Sequence, residues 1–410
     1  MKILHVVFLL LVITSLSFLS ASTINVPADQ SSIQSAIIVS NPKDIVLVAP
    51  GTYHENINFL GKAITVKSSG GAKITIIDGG NLGPVVTFNT NEGSKSVLSG
   101  FTLQNGTSTF NSQYAGGGVY ISGASPIVRN NIIQNNVACS EGGGIAVEFS
   151  SAQIRNNTIK DNSQSGCSGG PGGGGIAVGG AGSAVIIGNR IQNNSWGSNG
   201  GGISLFAAGT PILENNIVSG NSSGGGQGGG VYIVNDSNAL VAQNLFYANT
   251  ASQGGAVYLS MPYGSSGPVL VNNTIIGGTG ATTQGSAVWA GGFDNQVLFY
   301  NNLLIGLTGQ NAVYCDSSYS NFPPVFTNND AYSPSGTGLV GTCASESGTS
   351  GNISLDPLFV RMKTNNYRLQ AGSPAINAGD NSAPDVPAKD LANKTRIVGG
   401  IIDLGVYEVQ

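Results

Sequence analysis

The chain has 410 residues, 62 of them glycine, only 9% charged, and its net charge is −4. This composition differs from that of an average globular domain. Hydrophobic residues make up 40% of the chain and recur in register, which excludes a disordered polypeptide. The slightly acidic balance provides no basic footprint, so we expect no nucleic-acid partner.

Residues 1–22, MKILHVVFLLLVITSLSFLSAS, are typical of a signal peptide. Lys2 supplies the positive end, an apolar run follows, and Ser20 and Ser22 are the small residues before a cut after Ser22. A membrane anchor is the alternative, but the run is short for a bilayer span, and no later stretch is apolar enough. We expect a secreted, cell-surface or periplasmic protein without a membrane span after cleavage.

Residues 23–110 are predicted to hold an N-terminal cap and the first coils of a solenoid. From Ser32 to Val39 the spacing of Ile33, Ala36 and Ile37 indicates a short amphipathic helix. The stretches DIVLVAP and AITVKSS are typical of strands, and SVLSGFTLQNG resembles an early coil. A cap is expected because the open end of a sheet pairs with other edges unless it is covered.

Residues 111–310 contain a repeat. An apolar residue follows a run of glycines at intervals of 26 to 31 residues, at Val119, Ile145, Ile176, Ile203, Val231, Val257 and Val288. An asparagine advances with it, at Asn131, Asn157, Asn189, Asn216, Asn244, Asn273 and Asn302. A period of this size is the signature of a solenoid.

Three short strands per repeat predict the kind of solenoid. The copy at 144–162 reads as GIAVEF, SAQIRN and NTIKDN, in which apolar residues alternate with small or polar ones. No run suits the helix of an α-solenoid, and the leucines of a leucine-rich repeat are missing. We predict an all-β fold, a single-stranded right-handed parallel β-helix, with Ile145, Val147, Ile154 and Ile159 pointing inward. The asparagine column is predicted to form an amide ladder.

Residues 311–410 lose the repeat and are predicted to form a C-terminal capping segment. The four cysteines, Cys139, Cys167, Cys315 and Cys343, suggest disulfides in an exported chain. Three pairings are possible; we favour Cys139–Cys167, which are 28 residues apart, close to one coil and within disulfide reach, and this leaves Cys315–Cys343 as the remaining pair in the cap region. A thiol metal site is the disfavoured rival, because no C-x-x-C occurs.

These motifs resemble known β-helix families. The coils with GGG followed by Ile or Val, and then NN.I..N, resemble the pectin-lyase-like superfamily. GGAV at 254–257 and FYAN at 246–249 are similar to the repeats of polymorphic outer-membrane proteins. GNISLDPLFV, YRLQAGSPAINAGD and DLGVYE resemble the C-terminal segment of bacterial right-handed β-helix proteins. The resemblance implies the fold but no single activity, because the superfamily includes lyases, hydrolases, esterases, epimerases, tailspikes and adhesins.

The enzyme signatures of that superfamily are incomplete here. GTYHE at 51–55 matches the GxYxE of pectin methylesterases, but their other motifs are missing, so we interpret it as a cap turn. No DD pair occurs, and His54 in the cap is the only histidine after the signal peptide, which disfavours a polygalacturonase-like site. The acids available for the Ca²⁺ of a pectate lyase fall at different repeat positions: Glu141, Glu148, Asp161, Glu214, Asp236 and Asp294.

Two outward columns remain as binding hypotheses. Tyr232, Tyr258 and Trp289 follow the inward apolar residue in consecutive coils, and an exposed aromatic strip stacks on sugar rings. An aromatic ladder that stabilises the sheet is the alternative. Arg129 and Arg155 share another column in adjacent coils and form a candidate anion site, for example for a uronate or sulfate; solvent-screened charges are the alternative.

The predicted function is that of an exported, non-catalytic β-helix monomer that engages a polysaccharide, a cell-surface glycan or another surface partner. A polysaccharide lyase or related enzyme acting on polyuronides is the first alternative, and a structural adhesin or envelope protein is the second. We assign no catalytic residue, no metal ligand and no cofactor; Ca²⁺ is expected only if the lyase alternative holds.

Overall fold

The structure is a computed structural model, and it describes residues 20–109, 116–164, 166, 170, 172–280, 284–293, 296–319 and 321–410. Most of the signal peptide predicted at 1–22 therefore lies outside the described residues. Short parallel strands dominate the described chain, and successive strands along the sequence alternate among three sheets. The polypeptide winds as a parallel β-helix, which confirms the fold class predicted from the repeat.

Each sheet takes one strand from each coil. The 12 described strands of sheet 1 are Thr23–Val26, Ile45–Val48, Thr65–Ser68, Val97–Ser99, Ile127–Arg129, Gln153–Arg155, Val185–Ile187, Ile212–Glu214, Leu240–Ala242, Val269–Val271, Leu298–Tyr300 and Val325–Thr327. The 11 of sheet 2 are Gly51–His54, Thr75–Asp78, Thr102–Gln104, Ile132–Gln134, Thr158–Lys160, Arg190–Gln192, Ile217–Ser219, Leu245–Tyr247, Thr274–Ile276, Leu303–Ile305 and Asp330–Tyr332. The 11 of sheet 3 are Ile57–Asn58, Val86–Phe88, Val119–Ser122, Ile145–Glu148, Ile176–Gly179, Ile203–Phe206, Val231–Val234, Val257–Met261, Val288–Gly292, Val313–Cys315 and Leu339–Gly341.

The remaining described elements are short. Two pairs of strands lie outside the three sheets, Val137–Ala138 with Ser163–Gln164 and Phe359–Arg361 with Asn366–Leu369. One α-helix, Ile33–Val39, and two 3-10 turns, Ala344–Glu346 and Met362–Thr364, complete the described chain. In the described part of the chain, no helix is long and apolar enough to cross a membrane.

The core is built from columns of aliphatic residues that stack from coil to coil. Ile145, Val147, Ile154 and Ile159 are fully buried, as the alternation predicted. In sheet 3, Ile145 pairs in register with Ile176 of the next coil, so one strand's core residue packs on the next. Every inward side chain thus has a similar neighbour above and below, at the strand spacing of about 4.8 Å.

The predicted asparagine ladder is present and extends further than the repeat indicated. The Asn157 Oδ1 accepts hydrogen bonds from the Asn131 backbone N–H at 3.0 Å and from its side-chain amide at 3.2 Å. The same pattern links the buried residues Asn131, Asn157, Asn189, Asn216, Asn244, Asn273, Asn302, Asn329 and Asn352. Each amide also satisfies a neighbouring carbonyl, so this corner is buried without losing hydrogen bonds.

The residue before each ladder asparagine has another role. Asn130, Asn156 and Asn215 have φ of 56°, 53° and 57°, the left-handed conformation that asparagine tolerates better than most residues. The two asparagines of each pair therefore have different roles. The first adopts the left-handed conformation that turns the chain, and the second forms the ladder. A second ladder, Asn136, Asn162, Asn194, Asn221 and Asn249, lies at the other end of the sheet 2 strand.

Close approach of neighbouring coils explains part of the glycine run. A Cβ on Gly175 would lie 2.6 Å from the carbonyl oxygen of Gly202, and one on Gly144 would lie 2.6 Å from that of Gly175. Neither glycine has a positive φ, so a left-handed turn does not explain why glycine is needed at these two positions. Here the missing side chain lets two backbones pack in contact.

The N-terminal helix covers the first coil as predicted. Helix Ile33–Val39 buries Ile33, Ala36 and Ile37, and its N-cap Ser32 accepts a hydrogen bond from the Ser35 N–H. The Glu55 carboxylate accepts from the Ile33 and Gln34 N–H groups at 2.9 and 2.8 Å, at the positive end of the helix. Glu55 belongs to the GTYHE motif, so that motif holds the cap together.

The coils continue past residue 310, where the glycine run fades but strands and ladder asparagines persist to Gly341 and Asn352. Cys315 and Cys343 form a disulfide across this end, with Cα atoms 5.6 Å apart, which confirms one predicted pairing. Cys139 is also disulfide-bonded. Its predicted partner, Cys167, lies outside the described residues, so the Cys139–Cys167 pairing stays a prediction.

Residues 355–410, called the C-terminal segment below, run back along the outer face of sheet 2. Leu404, Val406 and Tyr367 pack on Leu245, Ile276, Leu303 and Ile305 of three successive coils. The Gly405 N–H donates to the Asn301 carbonyl at 2.8 Å, and the Val406 N–H donates to the Thr274 Oγ1 at 3.1 Å. The segment therefore covers a side of the solenoid as well as following its last coil.

Candidate functional site

The outer face of sheet 3 carries the most distinctive surface of the molecule. One outward column runs through it, in register from coil to coil: Tyr120, Ala146, Ala177, Ser204, Tyr232, Tyr258, Trp289 and Tyr314. Side chains alternate across a strand, and the preceding residues Val231, Val257 and Val288 are fully buried in the core. The column thus has an aromatic end, a middle of small residues and a single tyrosine.

The aromatic end of this column is stacked on itself. The rings of Tyr232 and Tyr258 are 5.4 Å apart and nearly parallel, at 19°, and those of Trp289 and Tyr314 are 4.4 Å apart. Only 8% of Trp289 is exposed. These rings cover much of one another's surface, as expected of an aromatic ladder that stabilises the sheet.

A cleft of about 790 Å³ lies beside this ladder, at the corner between sheets 3 and 1. Four aromatic rings line it, those of Tyr263, Phe293, Tyr319 and Phe322, and we call it the aromatic cleft. Tyr263 is 84% exposed, and the Phe293 ring lies 5.3 Å from it, edge to face. Ser265, Ser266, Gln296, Ser317 and Asn321 supply the polar lining.

The cleft and the ladder form one continuous surface. Phe293 directly follows the strand Val288–Gly292, which contains the ladder residue Trp289. At Gly291 a Cβ would lie 3.8 Å from both the Trp289 Nε1 and the Tyr258 hydroxyl. The glycine therefore places no side chain beside the Trp289 and Tyr258 rings.

The repeat does not predict the aromatic cleft, because the rings of the cleft lie in corners of variable length. The sheet 3 strand beginning at Val119 is followed by a sheet 1 strand eight residues later, but the distance is 12 residues after Val257 and after Val313. Those longer corners contain Tyr263, Tyr319 and Phe322. A search for lengthened corners with aromatic residues would have found this site.

The other end of the column holds a group that the sequence analysis did not bring together. The Tyr120 hydroxyl donates to the Glu148 Oε2 at 2.9 Å. A Cβ on Gly179, which pairs with Glu148 in sheet 3, would lie 3.7 Å from the Glu141 Oε2. Both carboxylates therefore lie on the outer face of sheet 3 in the same coil, although they occupy different positions in the repeat.

Burial makes Glu141 and Tyr120 weaker acids than usual. Desolvation and the nearby Glu148 charge raise the pKa of Glu141 to about 7. Desolvation also raises the pKa of Tyr120 to about 12, with its hydrogen bond to Glu148 adding to the shift. A carboxyl group that titrates near neutral pH suits proton transfer.

Arg129 and Arg155, the predicted anion pair, are register partners in sheet 1. They point outward, because Val128 and Ile154 beside them are buried in the core. The Arg155 Nε donates to the Gln153 Oε1 at 2.9 Å, which orients one guanidinium along its own strand. This pair lies on a different sheet from the aromatic residues.

His54 and the GTYHE motif belong to the N-terminal coils. His54 is exposed at the end of the strand Gly51–His54 and pairs in register with Asp78. The Tyr53 hydroxyl donates to the Ala49 carbonyl at 3.0 Å. The Glu55 carboxylate also accepts hydrogen bonds from the first N–H groups of the helix Ile33–Val39. These contacts support the interpretation of the motif as a cap turn. Searched over the described residues, the chain has no group of three or more His, Cys, Asp or Glu side chains that could hold a metal ion.

Comparisons with known proteins agree with the fold. A family model described as "Right handed beta helix region" matches residues 168–304, and no curated protein sequence matches the chain. The solved structure of pectate lyase Pel9A is 15% identical, with a TM-score of 0.53, over 95% of this chain and 97% of that chain.

Two further solved structures are similar at lower scores. XylC, solved in complex with xylose, is 13% identical with a TM-score of 0.49, over 90% of this chain and 67% of that one. The GH87 α-1,3-glucanase from Streptomyces thermodiastaticus strain HF3-3 is 15% identical with a TM-score of 0.44, over 79% and 64%. At these identities the likeness concerns the fold alone. The chain is a right-handed parallel β-helix similar in architecture to pectate lyase Pel9A.

Proposed function

We propose that this protein is exported and binds a polysaccharide at the aromatic cleft and the adjoining ladder of sheet 3. The observation that carries the proposal is the cleft itself, in which Tyr263, Phe293, Tyr319 and Phe322 surround about 790 Å³. Export rests on the predicted signal peptide, and the Cys315–Cys343 disulfide supports it, because such bonds persist in oxidising compartments.

The chemistry of the cleft fits sugar rings. The apolar face of a pyranose packs against an aromatic ring, and hydroxyl groups at its rim find amide and hydroxyl partners in Gln296, Asn321 and the lining serines. The ladder residues Tyr232, Tyr258 and Trp289 extend the same surface along the helix axis. The described residues that line the cleft carry no formal charge, so we propose a neutral polysaccharide as its preferred ligand.

A polysaccharide panel tests this proposal by affinity electrophoresis, with neutral glucans, xylans and galactans beside polygalacturonate. Tyr263→Ala and Tyr319→Ala should each weaken binding to a neutral polysaccharide roughly fivefold, because a lost ring contact costs about 1 kcal/mol. Phe149→Ala is the matched control: its ring is 70% exposed at the equivalent corner, four coils or about 19 Å away. Unchanged binding in both tyrosine variants would refute the proposal.

A second candidate function is cleavage of a polysaccharide, and the Tyr120, Glu141 and Glu148 group favours it. At neutral pH, Glu141 is available as a proton donor or acceptor on the same face of sheet 3, and Glu148 is held by Tyr120. This candidate includes the lyases that act on polyuronides. Release of unsaturated or reducing ends that disappears in Glu141→Gln would support it, and intact polymers across the panel would argue against it.

A further inference from the structure

A second cavity lies far from sheet 3, between the C-terminal segment and the outer face of sheet 2. Its volume is about 390 Å³. Gly188, Arg190 and Ile217 line it from the coils, and Arg368, Leu391 and Tyr407 line it from the segment. Two guanidinium groups that are 178 positions apart in sequence thus face one space.

Each arginine reaches the cavity for a structural reason. Arg190 holds the outward position of sheet 2 in register with Ile217, which packs under the C-terminal segment. Arg190 therefore lies one coil before the part of sheet 2 that the C-terminal segment covers, and its side chain remains exposed. The Arg368 guanidinium lies 4.5 Å from the centre of the Tyr407 ring, and this cation–π contact orients it.

The charges of this cavity are not balanced by direct pairing. In the described part of the chain the only salt bridge joins Lys160 and Asp161, so neither Arg190 nor Arg368 has a carboxylate partner. Asp390 is near enough to influence Tyr407, but its carboxylate accepts the Ala392, Lys394 and Glu408 N–H groups instead. Two unpaired guanidinium groups in one cavity repel each other unless an anion lies between them.

We propose that the cavity between Arg190 and Arg368 binds an oxyanion, either a free inorganic anion or the carboxylate or sulfate of an acidic saccharide. Guanidinium groups bind such planar or tetrahedral oxyanions through paired hydrogen bonds. Because one arginine belongs to the coils and the other to the segment, the bound anion bridges the two and holds the segment on sheet 2. This site does not rest on the proposed neutral-glycan function of the aromatic cleft.

Titration calorimetry of the full chain tests the site, with sodium sulfate, sodium phosphate, galacturonate and trigalacturonate as ligands and glucose as the neutral control. We expect saturable binding of at least one anion and none of glucose. Tighter binding of trigalacturonate than of the inorganic ions identifies a saccharide as the source, and the reverse order identifies a free anion. Absence of binding by all four anions would overturn the proposal.

Variants locate the binding. Arg190→Gln and Arg368→Gln should each weaken it at least tenfold, whereas Arg361→Gln, an exposed arginine of the segment outside the cavity, should leave it unchanged. Arg190→Lys keeps the charge but loses the paired hydrogen bonds, so it should also weaken binding. Because this variant leaves Arg368 unchanged, it tests the site even if Arg368→Gln displaces the segment. Equal binding in Arg190→Gln and the unaltered protein, or equal loss in Arg361→Gln, contradicts the assignment. Tyr263→Ala should bind the anion normally, which separates this site from the cleft.

Discussion

The coils and the C-terminal segment bury polar groups in opposite ways. The coils bury uncharged amides, such as Asn216 and Asn244, and each amide bonds to its copy in the next coil. The C-terminal segment buries charges instead. Arg396 is only 1% exposed, and its Nη2 donates to the Gly405 carbonyl, with the carboxylates of Asp390, Asp403 and Glu408 around it.

This difference follows from repetition. An amide is both donor and acceptor, so one residue type satisfies itself along a column without any partner of another kind. The C-terminal segment has no neighbouring copy, and its polar groups must find different partners. Burial lowers the pKa of Arg396 to about 10, against the opposing effect of the three carboxylates. A ladder therefore withstands changes in charge or pH better than the charged cluster.

The largest effect is expected from Arg396→Met. Removing one member of a buried charged cluster leaves the others uncompensated and costs about 3–5 kcal/mol. The C-terminal segment should come away from sheet 2 while the coils stay folded. Hydrogen exchange of the Gly405 and Val406 amides, which donate to Asn301 and Thr274, should accelerate, while amides of the central coils stay protected. The control is Arg361→Gln; protected amides in Arg396→Met would contradict the comparison.

A pH-dependent effect is expected at Asp330, where the coils meet the segment. Its carboxylate accepts the Leu355 N–H at 3.1 Å, and burial raises its pKa to about 7. The folded state thus binds a proton more tightly than the unfolded state, and this stabilisation is lost as the pH rises from about 4 through 7.

Asp330→Asn should therefore raise the free energy of unfolding at pH 8 by about 4 kcal/mol, since the pKa rises from about 4 to about 7 and one pKa unit corresponds to about 1.4 kcal/mol. Below pH 4 the two proteins should be equally stable. Urea unfolding at several pH values measures the difference, with the exposed Asp385→Asn as control. A difference that does not grow with pH would contradict the assignment.

The ladder is expected to be sensitive at single positions. Asn244→Ala leaves the Asn216 backbone N–H without its acceptor and removes the side-chain donor to the Leu213 carbonyl, which should cost about 2 kcal/mol. Asn215→Ala changes the left-handed residue next to the ladder, together with its side-chain hydrogen bonds to Glu214 and Gln243, and should cost about 1 kcal/mol. Denaturant unfolding compares the two. A larger loss in Asn215→Ala would mean that the corner, rather than the ladder, dominates.

The smallest effect is a stabilisation at Phe149. Its φ is 50°, in the left-handed region, where the equivalent positions of other coils hold Gly123, Gly180 and Asn235. Phe149→Asn should relieve this conformation and stabilise the protein by roughly 0.5–1 kcal/mol, because the ring is 70% exposed. Thermal unfolding measures the shift. A destabilised variant would show that the packing of the ring over Gly180 outweighs the backbone strain.

Some residues of the candidate sites could be predicted from the repeat and others could not. The ladder residues Tyr232, Tyr258 and Trp289 were visible in the sequence because they occupy one repeat position. Tyr263 and Tyr319 were not, because they lie in corners whose lengths break the register. Glu141 and Glu148 were separated for a related reason: one precedes the sheet 3 strand and the other ends it, and only the folded loop brings them onto one face.

The sequence by itself determined the solenoid, because each repeat must satisfy the same local conditions as its neighbours. The positions of Ile145, Asn157 and Ile33 follow from period and alternation, since their partners are copies of themselves or lie close in the chain. Only the tertiary structure decided where the C-terminal segment lies, what surrounds Arg396, and that Arg190 meets Arg368. Those contacts join unlike residues far apart in sequence, and no periodic pattern specifies them.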